Sequence, residues 1–275
     1  MPLASSIPTQ ADRERMCAGG GLRRGRMLSL AAVVAVALLA PTLTLMPNSP
    51  KRKLLYLTHS AGFKHSVLPL SEQIVKEIGV RSGAFEATST QDCSLINADH
   101  LKNYDALVFY TTGELPFSEA QKQAFLDFIK SGKGFVGVHS ATDTFYQWPE
   151  YGQIIGGYFD QHPWHEDVNI EVLDPKHPAV RHLAPSFEIK DEIYQFKDFL
   201  KDKLHVLLKL DNRSVDLNAK NVKRPDQYFA LSWTNQYGKG RIFYTALGHR
   251  DEVWQDSRFQ EHLLNGIRWT TRDVK

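Results

Sequence analysis

The sequence has little cysteine: among its 275 residues, only Cys17 and Cys93 are cysteines. We expect Cys17 to lie in a segment that is removed from the mature protein. Cys93 then has no partner for an internal disulfide, and no second cysteine stands at the spacing of a zinc site. We therefore predict that Cys93 is a small buried side chain.

The chain also lacks a strong net charge. Its formal net charge is +2, and five arginines against Asp12 and Glu14 give residues 1–47 a balance of +3, which leaves −1 for the rest. A near-neutral body offers no electrostatic surface for nucleic acid or for acidic membranes. We expect no nucleic-acid partner, and membrane contact only through the N-terminal segment if it is not cleaved.

A long uninterrupted hydrophobic run is missing as well. The apolar run at residues 27–40 follows a basic flank and ends at Pro41, short of the roughly 20 residues needed to cross a bilayer. A basic flank before a short apolar run is typical of a secretory signal. We predict a signal peptide or N-terminal anchor with a disordered lead over residues 1–47, and an exported protein, periplasmic or extracellular. An uncleaved membrane anchor is the alternative.

From residue 53 onward, the sequence alternates between strand and helix patterns. Apolar strand-type runs occur at residues 54–59, 106–110 and 134–138, and a weaker strand pattern occurs at residues 85–89. Helical patterns occur at residues 66–78 and after a capping box formed by Ser118 and Gln121. This alternation predicts an α/β fold of flavodoxin-like layout, a mostly parallel sheet with helices on both faces.

The section from residue 165 to residue 211 departs from this alternation. It contains β-rich runs separated by polar turns, which predicts an antiparallel insertion or extension. Residues 237–240 (YGKG) then suit a hairpin turn with a glycine bulge, and residues 259–269 form a final amphipathic helix. Without repeats or linkers after residue 50, residues 48–275 are predicted to be a single domain.

Polar side chains follow four of the predicted strands. In open α/β sheets, ligands bind at the carboxyl ends of the parallel strands. The candidate residues at these ends are His59, His65, Thr112, Glu114, His139, Asp143 and His249. Each is a weak signal alone, because any strand needs polar residues to leave the core, so the signal is their coincidence.

Residues 137–141 (GVHSA) have the pattern of a nucleophile elbow, a sharp strand-to-helix turn between small residues. The middle residue is His139 instead of serine or cysteine. An imidazole transfers protons near neutral pH or binds a metal, but it is a poor acyl-transfer nucleophile here. The alternatives are that His139 only donates to a backbone carbonyl, and that Ser140 caps the next helix.

A second group of candidates lies further along the chain. His162 and His165, with neighbouring carboxylates, have the donor types that bind zinc or manganese, although Pro163 argues against a helix that presents both rings. Glu192 and Tyr194 suit the binding of sugar hydroxyls, but they are equally typical of any strand edge. The remaining histidines are predicted to lie at the surface: 100, 177, 182, 205 and 262.

Four spaced motifs resemble the trehalose-utilisation (ThuA-like) family. They are HSATDTFYQWPEYGQIIGGYFDQHPW at 139–164, HPAV at 177–180, DEIYQF at 191–196 and YGKGRIFYTALGH at 237–249. The resemblance covers roughly residues 53–271 and implies a relation to the class I glutamine amidotransferase-like fold. In those relatives a cysteine occupies the elbow and a histidine follows a later strand, positions matched here by His139 and His249. The missing elbow cysteine implies that glutaminase activity is absent.

The resemblance implies carbohydrate use, with an isomerase-type step on a keto-disaccharide. Our leading hypothesis is an enzyme that performs isomerisation or elimination on a keto-glycoside, such as a trehalose derivative. A carbonyl acidifies the adjacent C–H, so the reaction needs a base, an acid and a group that holds the enediolate. We assign His139 and His249 as the acid/base pair, with rings within about 8 Å of each other. Glu192 and Asp143 are secondary candidates.

The other candidates are assigned to binding. His59, His65, Thr112, Glu114 and Tyr194 are expected to contact substrate. His162 and His165 are the metal candidates, with zinc or manganese as the ion, although no cofactor is required. The rival hypothesis is a non-catalytic carbohydrate-binding protein, and hydrolysis by paired carboxylates is less favoured. The sequence does not identify the sugar, and it allows either a monomer or a homo-oligomer.

Overall fold

The structure, a computed structural model, describes residues 51–275. The predictions of a signal peptide, an anchor and export concern residues 1–47, which lie outside the described part. Within residues 51–275, no helix combines the length and the hydrophobicity that crossing a membrane would require.

Within residues 51–275, nine strands form one sheet, in the order β2-β1-β3-β4-β9-β8-β7-β5-β6. The strands are β1 Arg52–Leu57, β2 Phe85–Thr90, β3 Ala106–Phe109, β4 Gly134–Val138, β5 Tyr158–Val172, β6 Ser186–Lys197, β7 His205–Leu210, β8 Ala230–Tyr237 and β9 Gly240–Thr245. The first four alternate with helices, as the sequence predicts; β1, β3 and β4 are largely apolar, whereas β2 is more polar.

The sheet is mixed. Strands β2, β1, β3, β4 and β9 pair in parallel, whereas β9 with β8, β8 with β7, β7 with β5 and β5 with β6 pair antiparallel. The expectation of a mostly parallel sheet therefore holds for one half only. The β-rich section extends the same sheet, because its strands continue the hydrogen-bonded order beyond β9.

Six α-helices connect or flank the strands in the described part of the chain: α1 Leu68–Ser82, α2 Ala98–Leu101, α3 Glu119–Lys130, α4 Pro149–Ile155, α5 Asp251–Gln255 and α6 Ser257–Thr270. The capping box of α3 is observed, since Ser118 Oγ accepts the Gln121 N–H at 3.3 Å and Gln121 Oε1 accepts the Ser118 N–H at 3.0 Å. The hairpin at Tyr237 and Gly240 is observed too.

Helices cover both faces of the sheet. On β4, the Phe135 ring contacts Phe125 of α3. On the neighbouring β9, the Phe243 ring packs against Gly266 of α6 so closely that no side chain fits there. Phe243 pairs with Val136, whose side chain points opposite to that of Phe135 because strand side chains alternate. The two layers thus bury the parallel half of the sheet and leave its strand ends at one edge.

Two histidines that the sequence predicts at the surface are buried. His262 on α6 is 1% exposed, and His177 is 7% exposed. Each finds a backbone partner: His262 Nδ1–H donates to the Ala179 carbonyl oxygen at 2.8 Å, and His177 Nδ1 accepts the Ala179 N–H at 3.2 Å. The hydrogen bonds permit the burial, and a sequence pattern does not reveal them.

Candidate functional site

The end of β4 has the elbow geometry that its sequence predicts. His139 follows the strand with a φ of +45°, in the left-handed region that few non-glycine residues adopt. The turn is tight, because a Cβ at Gly137 would lie 2.5 Å from Cδ1 of Ile155. This strained turn directs the His139 ring toward the end of the neighbouring strand β9, where it is fully buried.

The orientation of the His139 ring is set by one hydrogen bond. Its Nδ1–H donates to the carbonyl oxygen of Ala246 at 2.6 Å, since a carbonyl only accepts. In the neutral ring Nε2 then carries a free lone pair, and the Tyr194 hydroxyl lies 2.8 Å from it. His139 can therefore bond to the backbone and also serve the site, because Nδ1 is held by Ala246 while Nε2 remains available.

Glu192 brings the two predicted acid/base histidines together. Its Oε2 lies 3.3 Å from His139 Nε2 and 3.1 Å from His249 Nδ1, and the two nitrogens are 3.3 Å apart. The ring centroids are separated by 5.3 Å, inside the limit of about 8 Å expected from proton-transfer reach. His65, His139, Glu192 and His249, termed here the histidine–glutamate cluster, each offer one ligand atom, all within 4.8 Å of one another.

The turn that carries His249 is held from several sides. Asp191, fully buried, accepts the Gly248 N–H at 2.7 Å and the His249 N–H at 3.1 Å. The Gly248 carbonyl accepts the Tyr110 hydroxyl at 3.0 Å and the Trp254 indole N–H at 2.8 Å. Gly248 itself has a φ of +120°, which favours glycine.

His65 closes the cluster from the loop after β1. Its ring is 5% exposed and lies with its centroid 5.0 Å from that of His139 and 5.3 Å from that of His249. Its Nδ1 is buried and makes no hydrogen bond. Thr112 supports this loop, since its hydroxyl donates to the Phe63 carbonyl at 2.8 Å.

Burial and mutual contact shift the titration of the cluster. Burial opposes ionisation of Glu192, but hydrogen bonds from His139 and His249 outweigh it and hold the pKa of Glu192 well below its usual range. Burial also works against the charge on His249, yet the hydrogen bond and charge of Glu192 raise the pKa of His249 above its ordinary value. Burial, reinforced by the two other histidines, lowers the pKa of His65 to about 3.

His162 and His165 lie beside the cluster, on strand β5. His162 Nδ1 is 3.4 Å from Glu192 Oε1, and its side chain is 46% exposed. His165 pairs with Glu192 across the strands and places its ring edge-on to His249 at 4.9 Å. The pairing register of β5 shifts twice between Phe159 and Trp164. The segment is thus a bulged strand, and not a helix, as Pro163 predicts.

Other predicted residues lie outside the cluster. His59 Nδ1–H donates to the Gln91 carbonyl at 2.8 Å, and exposed Glu114 accepts the Gln147 N–H at 3.1 Å. Asp143 accepts the Tyr146 hydroxyl at 2.5 Å, and burial raises the pKa of its carboxyl. Among the described contacts, none of these polar side chains bonds to a cluster residue.

Three residues near the site were not assigned from the sequence. Asp191 orients His249 through its backbone, and Tyr110 supports the same turn. Phe63, 64% exposed, places its ring 4.8 Å from that of His65. Asp191 could have been assigned from the sequence, because its neighbour Glu192 was already a candidate. Tyr110 and Phe63 could not, because they resemble ordinary core and loop residues.

Fold and site together define an α/β protein with a buried histidine–glutamate cluster where parallel strands end. The chain belongs to the ThuA family, described as trehalose utilisation, whose family model matches residues 53–270. Comparison with curated proteins gives no significant match.

Solved structures agree with this assignment. A ThuA-like protein of Bacteroides uniformis is 26% identical, with a TM-score of 0.68, over 88% of this chain and 95% of that one. A ThuA-like protein of Parabacteroides merdae is 23% identical, with a TM-score of 0.65, over 81% and 91%. A cytoplasmic protein of Salmonella typhimurium, 12% identical with a TM-score of 0.51 over 80% and 98%, shares the fold. The fold is consistent with a relation to class I glutamine amidotransferases.

Proposed function

We propose that this chain is a carbohydrate-utilisation enzyme that performs acid/base chemistry, isomerisation or elimination, on a keto-glycoside such as a trehalose derivative. The observation that supports it is the placement of His139 and His249 on one carboxylate, that of Glu192, at 3.3 and 3.1 Å. His139 and His249 follow β4 and β9 of the parallel half of the sheet, and Glu192 lies on β6 of the antiparallel half. Their convergence at the ligand-binding edge of the sheet is the arrangement that catalysis requires.

The chemistry begins at the carbon beside the substrate carbonyl. A base removes its proton, the enediolate oxygen is held by hydrogen bonds or a cation, and an acid returns a proton at another atom or to a leaving group. Two arrangements of the cluster serve this reaction. In one, His139 Nε2 accepts the proton and His249 returns it. In the other, their nitrogens hold a cation and the flanking His162 and His165 exchange protons with substrate.

The accessible side of the cluster supplies groups suited to a sugar. His162, beside Glu192, and Phe63, beside His65, are exposed there, and the buried Tyr194 directs its hydroxyl to His139 Nε2. An exposed aromatic ring beside polar groups is the usual surface on which the apolar face of a sugar stacks. His59, Thr112 and Glu114 then serve the loops around this surface, while Asp143 is a more distant proton carrier.

A non-catalytic sugar-binding protein is the second candidate. The burial of His139 favours it, because a fully buried ring reaches substrate only after a local rearrangement. Both candidates use the same surface and predict sugar binding. Only the enzyme exchanges the proton beside the carbonyl.

Solvent exchange separates the two. The full chain is incubated in deuterated water with keto-disaccharides, keto-trehalose among them, and deuterium entry beside the carbonyl is followed by NMR. We expect exchange with the native chain and with His100→Gln, a histidine outside the site, and a loss of about 100-fold or more in His249→Gln. Saturable binding without exchange would establish the non-catalytic role.

We further propose that the protein acts after export, as the basic flank and the apolar run at residues 27–40 suggest. N-terminal sequencing of protein from the native host tests this, and residues 1 to about 47 should be missing. An intact segment in the membrane fraction would reject cleavage.

A further inference from the structure

The histidine–glutamate cluster has the donor set of a metal centre, and three of its four donor atoms have the spacing of one. We propose that His65, His139, Glu192 and His249 bind one divalent transition-metal ion of the zinc type. Three imidazoles and one carboxylate suit such ions, which take nitrogen and oxygen ligands in four-coordinate sites. The inference names the cofactor class for the site of the function proposed above, and it stands whether or not the substrate is a sugar.

The distances between donor atoms carry the argument. His139 Nε2, His249 Nδ1 and Glu192 Oε2 form a triangle with sides of 3.3, 3.3 and 3.1 Å. Ligands at about 2.0–2.1 Å from a tetrahedral ion are separated by about 3.3–3.4 Å, the edge of the tetrahedron. A hydrogen bond between nitrogens or between nitrogen and oxygen is usually shorter, near 2.9–3.0 Å. The triangle therefore matches ligand spacing better than hydrogen-bond spacing.

The orientation of the donor atoms points the same way. His139 donates its Nδ1 proton to the Ala246 carbonyl, so Nε2 is the ring nitrogen directed at Glu192. His249 Nδ1 lies within 3.3 Å of both His139 Nε2 and Glu192 Oε2. A cation at the centre of the triangle accepts a lone pair from each of these three atoms.

The surroundings resemble those of a built metal site. Metal-binding histidines commonly donate their second ring N–H to a backbone carbonyl or carboxylate, which fixes the tautomer, and His139 does so through Ala246. His65 is 5% exposed, and its Nδ1 is buried without a hydrogen-bond partner. Ligation through this nitrogen would give it one.

The metal arrangement assigns new roles to the neighbouring groups. An ion at the cluster engages His139 and His249 through the nitrogens that would otherwise move protons. His162, near the free oxygen of Glu192, and His165, beside His249, are then the residues placed to exchange protons with a bound ligand. Tyr194 lies 2.8 Å from His139 Nε2, where its hydroxyl would donate to a ligand bound beside these residues.

Direct binding of Zn²⁺ tests the inference. The full chain is stripped with a chelator, then titrated with Zn²⁺ by calorimetry in competition with a chelator of known affinity. Co²⁺ serves as a visible-absorption probe of coordination. We expect one ion per chain, an intense four-coordinate Co²⁺ spectrum and a raised Tm on Zn²⁺ addition.

The variants locate the site. Glu192→Gln and His249→Gln should weaken Zn²⁺ binding about 100-fold or more, since each removes a ligand, whereas His100→Gln should bind as the native chain does. Glu192→Gln is nearly isosteric, and circular dichroism establishes that each variant is folded before titration. Zn²⁺ affinity that is unchanged in both folded variants would overturn the inference. So would a stripped native chain that binds Zn²⁺ only weakly and without a defined stoichiometry.

The result stays separable from the proposed function. Stoichiometric Zn²⁺ binding with no deuterium exchange in any keto-disaccharide would leave the metal site standing and reject the enzyme. Exchange by chelator-stripped protein that binds no Zn²⁺ would leave the enzyme standing and reject the metal site.

Discussion

Asp191 holds His249 by its main chain: the carboxylate accepts the His249 N–H at 3.1 Å and the preceding Gly248 N–H at 2.7 Å. The next residue, Glu192, contacts the His249 ring at 3.1 Å. Two adjacent carboxylates thus fix one histidine, one through its backbone and the other through its side chain. The ring position consequently depends on both.

Replacing Asp191 by asparagine should therefore displace His249 without removing any cluster residue. The amide retains one acceptor oxygen and presents N–H groups to the other backbone donor, which leaves a buried donor unpaired. We expect a loss of about 1–3 kcal/mol in the free energy of unfolding. Activity or Zn²⁺ affinity should fall about 10–100-fold, the usual effect of outer-shell changes.

Denaturant unfolding and Zn²⁺ titration measure these two effects. Asp211→Asn is the matched control, because Asp211 also accepts a backbone N–H, that of Arg213, in a loop after β7. That variant should lose some stability but retain Zn²⁺ affinity. Equal affinity losses in both variants would show that the Asp191 effect is a general loss of stability.

His262 should make the protein sensitive to acid. Burial lowers its pKa to about 3 in the folded chain, below the value of about 6.5 expected when unfolded. Between these values the unfolded chain binds more protons, so stability is fully present above about pH 6.5 and is lost as the pH falls. The slope from this residue is at most about 1.4 kcal/mol per pH unit.

The variant His262→Phe removes this titration. Its stability should fall less steeply between about pH 6.5 and pH 4 than that of the native chain, as followed by urea unfolding at several pH values. The control variant His100→Gln should keep the native dependence of the free energy of unfolding on pH. A His262→Phe slope equal to the native one would mean that other groups account for the acid sensitivity.

Much of this architecture follows from local patterns. The apolar runs of β3 and β4, the Ser118 capping box and the YGKG turn each depend on neighbouring residues, so the sequence alone predicts them. The approach of His139 to His249 follows from a topological rule, because both strands are parallel and end at one edge. Their contact with Glu192 does not follow, since it depends on how far the antiparallel half reaches back over that edge.

Burial was harder to predict than position. His262 lies one turn after Phe259 on the buried face of α6, and its hydrogen bond to Ala179 satisfies one ring nitrogen there. His65 was expected to bind substrate, and its place in the cluster depends on a loop held by Thr112. Such loop contacts join residues distant in sequence and leave no periodic signal.

Cys93 should be an unreactive thiol. Burial, with the charge of Asp92, raises its pKa to about 11, so little thiolate exists near neutral pH. In a full chain carrying Cys17→Ser, alkylation by iodoacetamide should be about 100-fold slower in the native state than in urea. The same chain should show no glutaminase activity. Rapid native labelling, or glutamine hydrolysis abolished by Cys93→Ser, would contradict this.

Replacing His139 should lower the free energy of unfolding more than replacing His249, although both replacements should impair the same function. His139 is fully buried, bonded to Ala246 and held at a φ of +45°. His249 has a side chain that is 22% exposed. We expect His139→Gln to lower the free energy of unfolding by about 1–3 kcal/mol, because it leaves a buried carbonyl without its donor.

The variant His249→Gln should cost less than about 1 kcal/mol, since its side chain is partly solvated and its backbone remains tied to Asp191. Both variants should nevertheless lose most deuterium exchange and most Zn²⁺ affinity, because each removes a corner of the same triangle. Urea unfolding measures the first difference, and the assays above measure the second. If His139→Gln lost stability but kept exchange and metal binding, His139 would be a packing residue. The proposed site would then consist of the other residues of the histidine–glutamate cluster.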